Sequence, residues 1–164
     1  MDTFHKTVLW SQFGAAIDML ENAIAACPAE LWDTADLFWY RAYHTLFYLD
    51  YYLSEEPDDF MPPEPYTLSE FDPEGMMPER TYTREELLRY LAHGRAKAHD
   101  LIFRMTEALA AKRFINPYRN YSIFEILLYN MRHVQHHTGQ LNLLLRQGTG
   151  TDAPRWVSQA KARE

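Results

Sequence analysis

The chain has a single cysteine, Cys27, which excludes an intramolecular disulfide and fits a reducing compartment. It has no cluster of Lys and Arg. With 16 basic and 23 acidic side chains the formal charge is −7, so the electrostatic footprint of a nucleic-acid binder is missing. No window approaches the roughly 18 apolar residues that would span a bilayer, and Met1-Asp2-Thr3-Phe4-His5-Lys6 lacks the pattern of a secretory leader. These absences predict a cytoplasmic protein with neither nucleic acid nor membrane as partner. Repeats and low-complexity tracts are also lacking. What remains is a globular composition rich in aromatics, read as a single domain over residues 1–164 that can bury its core without disulfides or a structural metal. Cys27 follows Ala25-Ala26 and precedes Pro28 at an expected helix end, where an inert thiol is the simpler reading than a nucleophile.

Four segments carry helical periodicity, and the fold class reads as all-α, a four-helix bundle. In the first, Trp10, Phe13, Ile17, Leu20 and Ile24 make one core-facing stripe that ends near Pro28. The second is expected from caps at Asp33-Thr34 to about Ser54. One stripe holds Leu37, Tyr40, His44, Phe47 and Tyr51, and another holds Trp39, Ala42, Leu46, Leu49 and Leu53. Being apolar on opposite sides, this helix needs the bundle on one side and a loop or a second subunit on the other. The third segment opens on the capping-box pattern Thr83-Arg84-Glu85-Glu86 and runs to about Lys112. The fourth opens on Ser122-Ile123-Phe124-Glu125 and stops at Gly148.

Residues 55–82, rich in Pro and acidic groups, form a long connection between helices two and three, while the other connections are short. A crossover along the bundle and an up-down-down-up order account for that length. Disorder is the competing explanation; Tyr66, Phe71, Met76 and Met77 are the side chains available to pin the loop down.

Three histidines carry the chemistry. On the fourth helix Phe124, Leu127, Met131, Val134, Thr138, Leu141 and Leu145 form the apolar stripe, bordered by a polar one of Asn130, His133, His137 and Gln140. The i,i+4 pair His133 and His137 faces inward, whereas His136 faces solvent. His44 lies on a core-facing stripe of helix two, where a buried imidazole needs a partner. A divalent ion would satisfy all three histidines and keep open positions. A core histidine bonded to Tyr40 or Tyr48 is the alternative for His44. No Glu-x-x-His motif is present, which counts against a di-iron centre, and Val134 stands where a zincin would carry its general base. Asp50 is almost two turns from His44, too far for an easy third ligand in a two-histidine, one-carboxylate site.

His133-Val134-Gln135-His136-His137-Thr138-Gly139-Gln140-Leu141, with His44 far upstream, resembles the DinB/YfiT superfamily: a histidine in helix two, then His-x-x-x-His in the last helix followed by x-Gly-Gln. The resemblance covers essentially the whole chain. It implies an up-down-down-up bundle, frequently a homodimer, with His44, His133 and His137 holding a divalent metal ion, commonly zinc or nickel. Its characterised members include thiol S-transferases using bacillithiol, mycothiol or glutathione-like cosubstrates, metal-dependent isomerases and proteins described as hydrolases. Here the position after the first histidine of the pair, often Glu, is Val134, and the one before Gly139, often Arg, is Thr138. The ligands are untouched by those changes; any acid-base or anion-binding role of the two positions is not.

The leading expectation is an enzyme that activates a thiol or water on the ion for attack on an electrophile, with a small-molecule thiol or electrophile as partner. Tyr40, Tyr48 and Tyr129, each one turn from an expected ligand, are candidates to orient or protonate the substrate, with core packing as their other role. Asn130 and Gln140 are expected to line the cleft or hold imidazoles. A stress-related, non-catalytic protein with a structural metal closed by a fourth ligand such as His99 is the second expectation. An apolar ligand bound among the aromatics is the third.

Overall fold

A computed structural model describes residues 1–161; the last three residues of the expected 1–164 domain lie outside the described residues. The protein is mostly helical, as expected. Helix α1 spans Thr3–Ala26, capped by Asp2, whose carboxylate accepts from the His5 amide at 3.0 Å. Phe13, Ile17, Leu20 and Ile24 are fully buried along its inner stripe, each contributing on the order of 1.5–3 kcal/mol by burial. It ends at Cys27, which Pro28 holds in extended backbone. Cys27 is buried, and burial pushes its thiol up to about 11, in keeping with an inert side chain.

After a single turn, α2 (Ala29–Trp32), the second long helix α3 spans Phe38–Tyr51 and starts later than the expected caps at Asp33-Thr34. The Asp33 carboxylate is already taken: it accepts from Trp39 Nε1 at 2.8 Å and from the Thr81 hydroxyl at 2.7 Å. Residues 33–37 turn a corner instead, and Leu37 caps α3 in left-handed backbone, φ 53° and ψ 51°.

Helix α4 (Arg84–Phe103) begins with the full capping box, Thr83 and Glu86 each bonding the other's amide. It stops earlier than the expected Lys112. Thr106 opens a separate short helix α5 (Glu107–Ala111), accepting from the Leu109 amide at 3.1 Å. A hairpin then follows, unexpected from the helical reading: β1 (Arg113–Asn116) pairs antiparallel with β2 (Arg119–Ser122). The Asn116 carboxamide makes its turn by accepting from the amides of Tyr118 and Arg119 at 2.9 and 2.8 Å.

Helix α6 (Ile123–Thr149) is capped by Ser122, as expected, but passes through Gly148 and ends at Gly150, φ 68°. Gly148 sits inside the helix because the Leu31 side chain fills the space where a Cβ would lie, with Cδ1 only 2.4 Å from that position.

Helix α1 packs against α4 and α6, and α3 packs against the same two. Three of these four seams carry a polar tie with a buried partner. Arg95 pairs with Asp18 between α4 and α1, Lys97 donates to Asp50 at 2.6 Å between α4 and α3, and Asn130 donates to the Leu49 carbonyl at 2.9 Å between α6 and α3. Each fixes the register of helices that apolar contacts alone would let slide.

The long connection of residues 55–82 packs onto α3. Phe60 and Phe71 set their rings 5.4 and 5.0 Å from Phe47, and Tyr66 stacks on Tyr90 of α4 at 4.0 Å. Met76 and Met77, expected as pins, are exposed; Phe60 and Tyr82 are buried in their place. The second apolar side of α3, the ground for expecting another subunit, is thus covered by the chain's own loop. Among the described residues no helix is long and apolar enough to cross a membrane.

Candidate metal centre

Helices α3 and α6 are in contact along the seam that brings His44 to the His133 and His137 pair. One ligand nitrogen from each of the three lies within 4.8 Å of the others. The Nε2 atoms of His133 and His137 are 3.1 Å apart, which is the spacing of two ligands bound about 2.1 Å from a common ion, roughly 3.0–3.4 Å for right-angle to tetrahedral geometry. His136 is exposed on the solvent side of α6, as its position predicts.

The other ring nitrogens explain why the Nε2 atoms face each other. His44 Nδ1 lies 2.6 Å from Glu70 Oε2, and the Glu70 side chain is 4% exposed. His137 Nδ1 lies 2.7 Å from Gln140 Oε1. An Nδ1 proton donated to each acceptor leaves the Nε2 lone pair of both rings for a cation. Burial first, then His137 and His44, push His133 down to about 3. Burial also lowers His137, partly offset by the Gln140 bond. Neutral imidazole is the form that binds a metal. The His133 Nδ1 atom is buried without a hydrogen-bond partner.

The residues present therefore fit a divalent ion: three ring nitrogens converge, two of the rings have an acceptor at Nδ1 that favours the ligating tautomer, and no fourth His, Cys, Asp or Glu of the described residues joins the group. A profile of the DinB superfamily matches residues 12–141, which include all three histidines. The chain belongs to the DinB superfamily. No curated protein and no solved structure gives a significant match.

In this DinB-superfamily chain His99, the expected fourth ligand of a closed site, packs instead between the rings of Trp10 and Phe103 at 4.8 and 4.4 Å. Asp50 is engaged by Lys97, Tyr90 and His93 on the α4 side. Val134 and Thr138, the two departures from the family pattern, are buried, and the Thr138 hydroxyl donates back to the Val134 carbonyl at 2.8 Å. They are core positions of α6.

Of the other expected residues, Gln140 Oε1 lies 2.7 Å from His137 Nδ1, and the Asn130 amide donates to the Leu49 carbonyl of α3. The Tyr48 ring is 4.9 Å from His44, and its hydroxyl donates to the Glu70 carbonyl at 3.2 Å. Burial and the Glu70 charge push the Tyr48 hydroxyl up to about 12 and raise that of Tyr40 as well, so both remain proton donors. The Tyr129 hydroxyl is within 2.7 Å of Arg119, whose guanidinium lies over the rings of Tyr129 and Tyr52.

Glu70 and Arg119 were not legible as site residues in the sequence. Glu70 is one acid among many in the connection of residues 55–82, and Arg119 arrives on the hairpin, whose Asn-Pro turn was the available signal. Two clefts reach the centre: one of about 290 Å³ lined by Leu37, Tyr40, Arg41, His44 and His137, and one of about 470 Å³ lined by Tyr129, Arg132, His133, Gln135 and His136.

Proposed function

We propose that the protein is a divalent-metal-dependent enzyme, a thiol S-transferase or hydrolase, in which His44, His133 and His137 hold a zinc or nickel ion. The observation carrying this reading is the pair of Nδ1 contacts, Glu70 on His44 and Gln140 on His137, which turn the remaining nitrogens toward a point that no fourth ligand among the described residues closes. A bound ion would supply Lewis acidity, lowering the pKa of a small thiol or water at an open position. The protein's own side chains bind and orient. Tyr40 keeps its proton and donates a hydrogen bond to a substrate, Tyr48 donates its own to the Glu70 carbonyl and steadies that residue beside His44, and Tyr129 with Arg119 shapes the wall beside His133. Separate clefts over His44/His137 and over His133 suit a reaction between two molecules, a thiol and its electrophile. In the same reading the four long helices run up-down-down-up, the 28-residue connection of residues 55–82 being the crossover.

A structural metal is the second reading, and the placement of His99 away from the centre disfavours it. The test is elemental analysis of untagged protein, wild type beside His137→Ala, followed by thiol-transfer and hydrolysis assays on both. About one ion per chain that is lost in the variant, together with activity, is the expected result. Wild type that stays metal-free after reconstitution with zinc or nickel, or activity indifferent to His137, overturns it.

A further inference from the structure

The cleft over His44 and His137 contains a cation that the metal centre itself does not use. Of its five lining residues, Arg41 is the one formally charged at neutral pH. The chain carries a net charge of −7, so an exposed arginine has abundant acids to pair with, as Arg80 does with Glu86 and Arg104 with Glu55. Arg41 takes none of them. Its Nε donates to the Asp36 carbonyl at 3.0 Å, which sets the plane of the guanidinium, and Nη1 and Nη2 have no protein partner among the described residues. Two parallel donors held in a plane match a carboxylate.

A second observation comes from the backbone. Leu37 is the one non-glycine residue with positive φ among the described residues, and it lines the same cleft. A leucine rarely adopts that conformation, and such outliers gather where a ligand is held. From that corner the face of α3 runs Leu37, Arg41, His44, at steps of four and three residues. An apolar side chain, a planar cation and a ligand imidazole thus follow one another along a single wall, with the Tyr40 ring beside them.

We propose that this cleft selects a carboxylate-bearing small molecule, its carboxylate on the Arg41 fork and its reactive end at the three histidines. The placement of the reactive end rests on the metal-centre reading above; the carboxylate anchor does not. Neighbouring residues three apart on a helix are about 5–6 Å apart between Cβ atoms, so a spacer of about two to four carbons joins the two ends. Arg119 does not compete for this role, since the Tyr129 hydroxyl and two aromatic faces occupy it. Arg132 belongs to the other cleft and serves as the control.

The experiment titrates 3-mercaptopropionate and its neutral isostere 3-mercaptopropanamide into wild type, Arg41→Gln and Arg132→Gln by calorimetry, with zinc content measured on each sample. Wild type and Arg132→Gln are expected to prefer the acid by about tenfold, the scale of a charge-assisted pair at an open site. In Arg41→Gln that preference disappears, while zinc content and affinity for the amide stay unchanged. A preference that survives in Arg41→Gln, that is lost in Arg132→Gln instead, or that is missing from wild type overturns the anchor. Wild type without zinc refutes the metal centre alone. The anchor is then judged on the metal-free protein with 3-phenylpropionate against 3-phenylpropanamide, by the same criterion for Arg41.

Discussion

Glu70 Oε2 lies 2.6 Å from His44 Nδ1, so the long connection of residues 55–82 and helix α3 meet at the proposed metal centre. A carboxylate on the far nitrogen of a ligand imidazole fixes the ring and raises its basicity, and its removal typically lowers metal affinity by about 10–100-fold. Glu70→Ala is therefore expected to weaken zinc binding by that factor in a chelator competition. Glu70→Gln, which keeps an acceptor, loses less. Equal affinity in wild type and Glu70→Ala would show that the loop covers the site without tuning it.

Much of this architecture is legible in the letters because it is local. Thr83 with Glu86, and Ser122 with Glu125, announce helix starts within four residues, and His133 and His137 share a face by spacing alone. What escapes is long-range competition for the same groups. Asp33 reads as a cap, yet Trp39 and Thr81 claim its carboxylate, so α3 starts at Phe38. Glu70 is 26 positions from His44 in a run of acids that look solvated. The hairpin of residues 113–122 carries no long periodic pattern, and its one signal, Asn116-Pro117, is a turn that fits a helix connection equally well.

Asp50 predicts an acid sensitivity separate from the metal centre. It is 1% exposed, and although burial opposes ionisation, bonds from His93 and Lys97 outweigh it and hold the carboxyl below its ordinary value; Tyr90 adds a third donor. A lowered folded-state pKa stabilises above the ordinary carboxylate range and loses that contribution as pH falls. Wild type should lose stability between about pH 5 and pH 2 more steeply than Asp50→Asn, while at pH 7 the variant is less stable by about 1–3 kcal/mol. Urea unfolding across that range reads both slopes, and parallel curves would remove Asp50 from the account.

The corner at Leu37 allows a test of strain. Its φ of 53° disfavours any side chain with a Cβ, so Leu37→Gly should leave stability unchanged or raise it by up to about 1 kcal/mol, despite the loss of an apolar side chain. The same variant is expected to bind a carboxylate probe less well, because the corner that carries Arg41 becomes mobile. A melting temperature lowered by several degrees would mean that Leu37 contributes packing that outweighs its strain.

Two glycines on α6 give opposite expectations from the same substitution. A Cβ built on Gly148 would meet Leu31 Cδ1 and Cδ2 at 2.4 and 2.7 Å, while one on Gly139 meets nothing within 4 Å. Both are helical, so alanine brings each the same entropic gain of about 0.5–1 kcal/mol. At Gly148 the half-exposed Leu31 side chain must move off its place, which costs about 0.5–1.5 kcal/mol and cancels the gain, so Gly148→Ala should melt at or below wild type. At Gly139, next to the Gln140 that holds His137, nothing among the described residues opposes the gain, and Gly139→Ala should melt higher than wild type. If Gly139→Ala melts lower under conditions where the chain is shown to be monomeric, its neighbours on α6 must reorganise around the new methyl; if it melts higher but binds zinc more weakly, the glycine serves the Gln140–His137 contact rather than the fold.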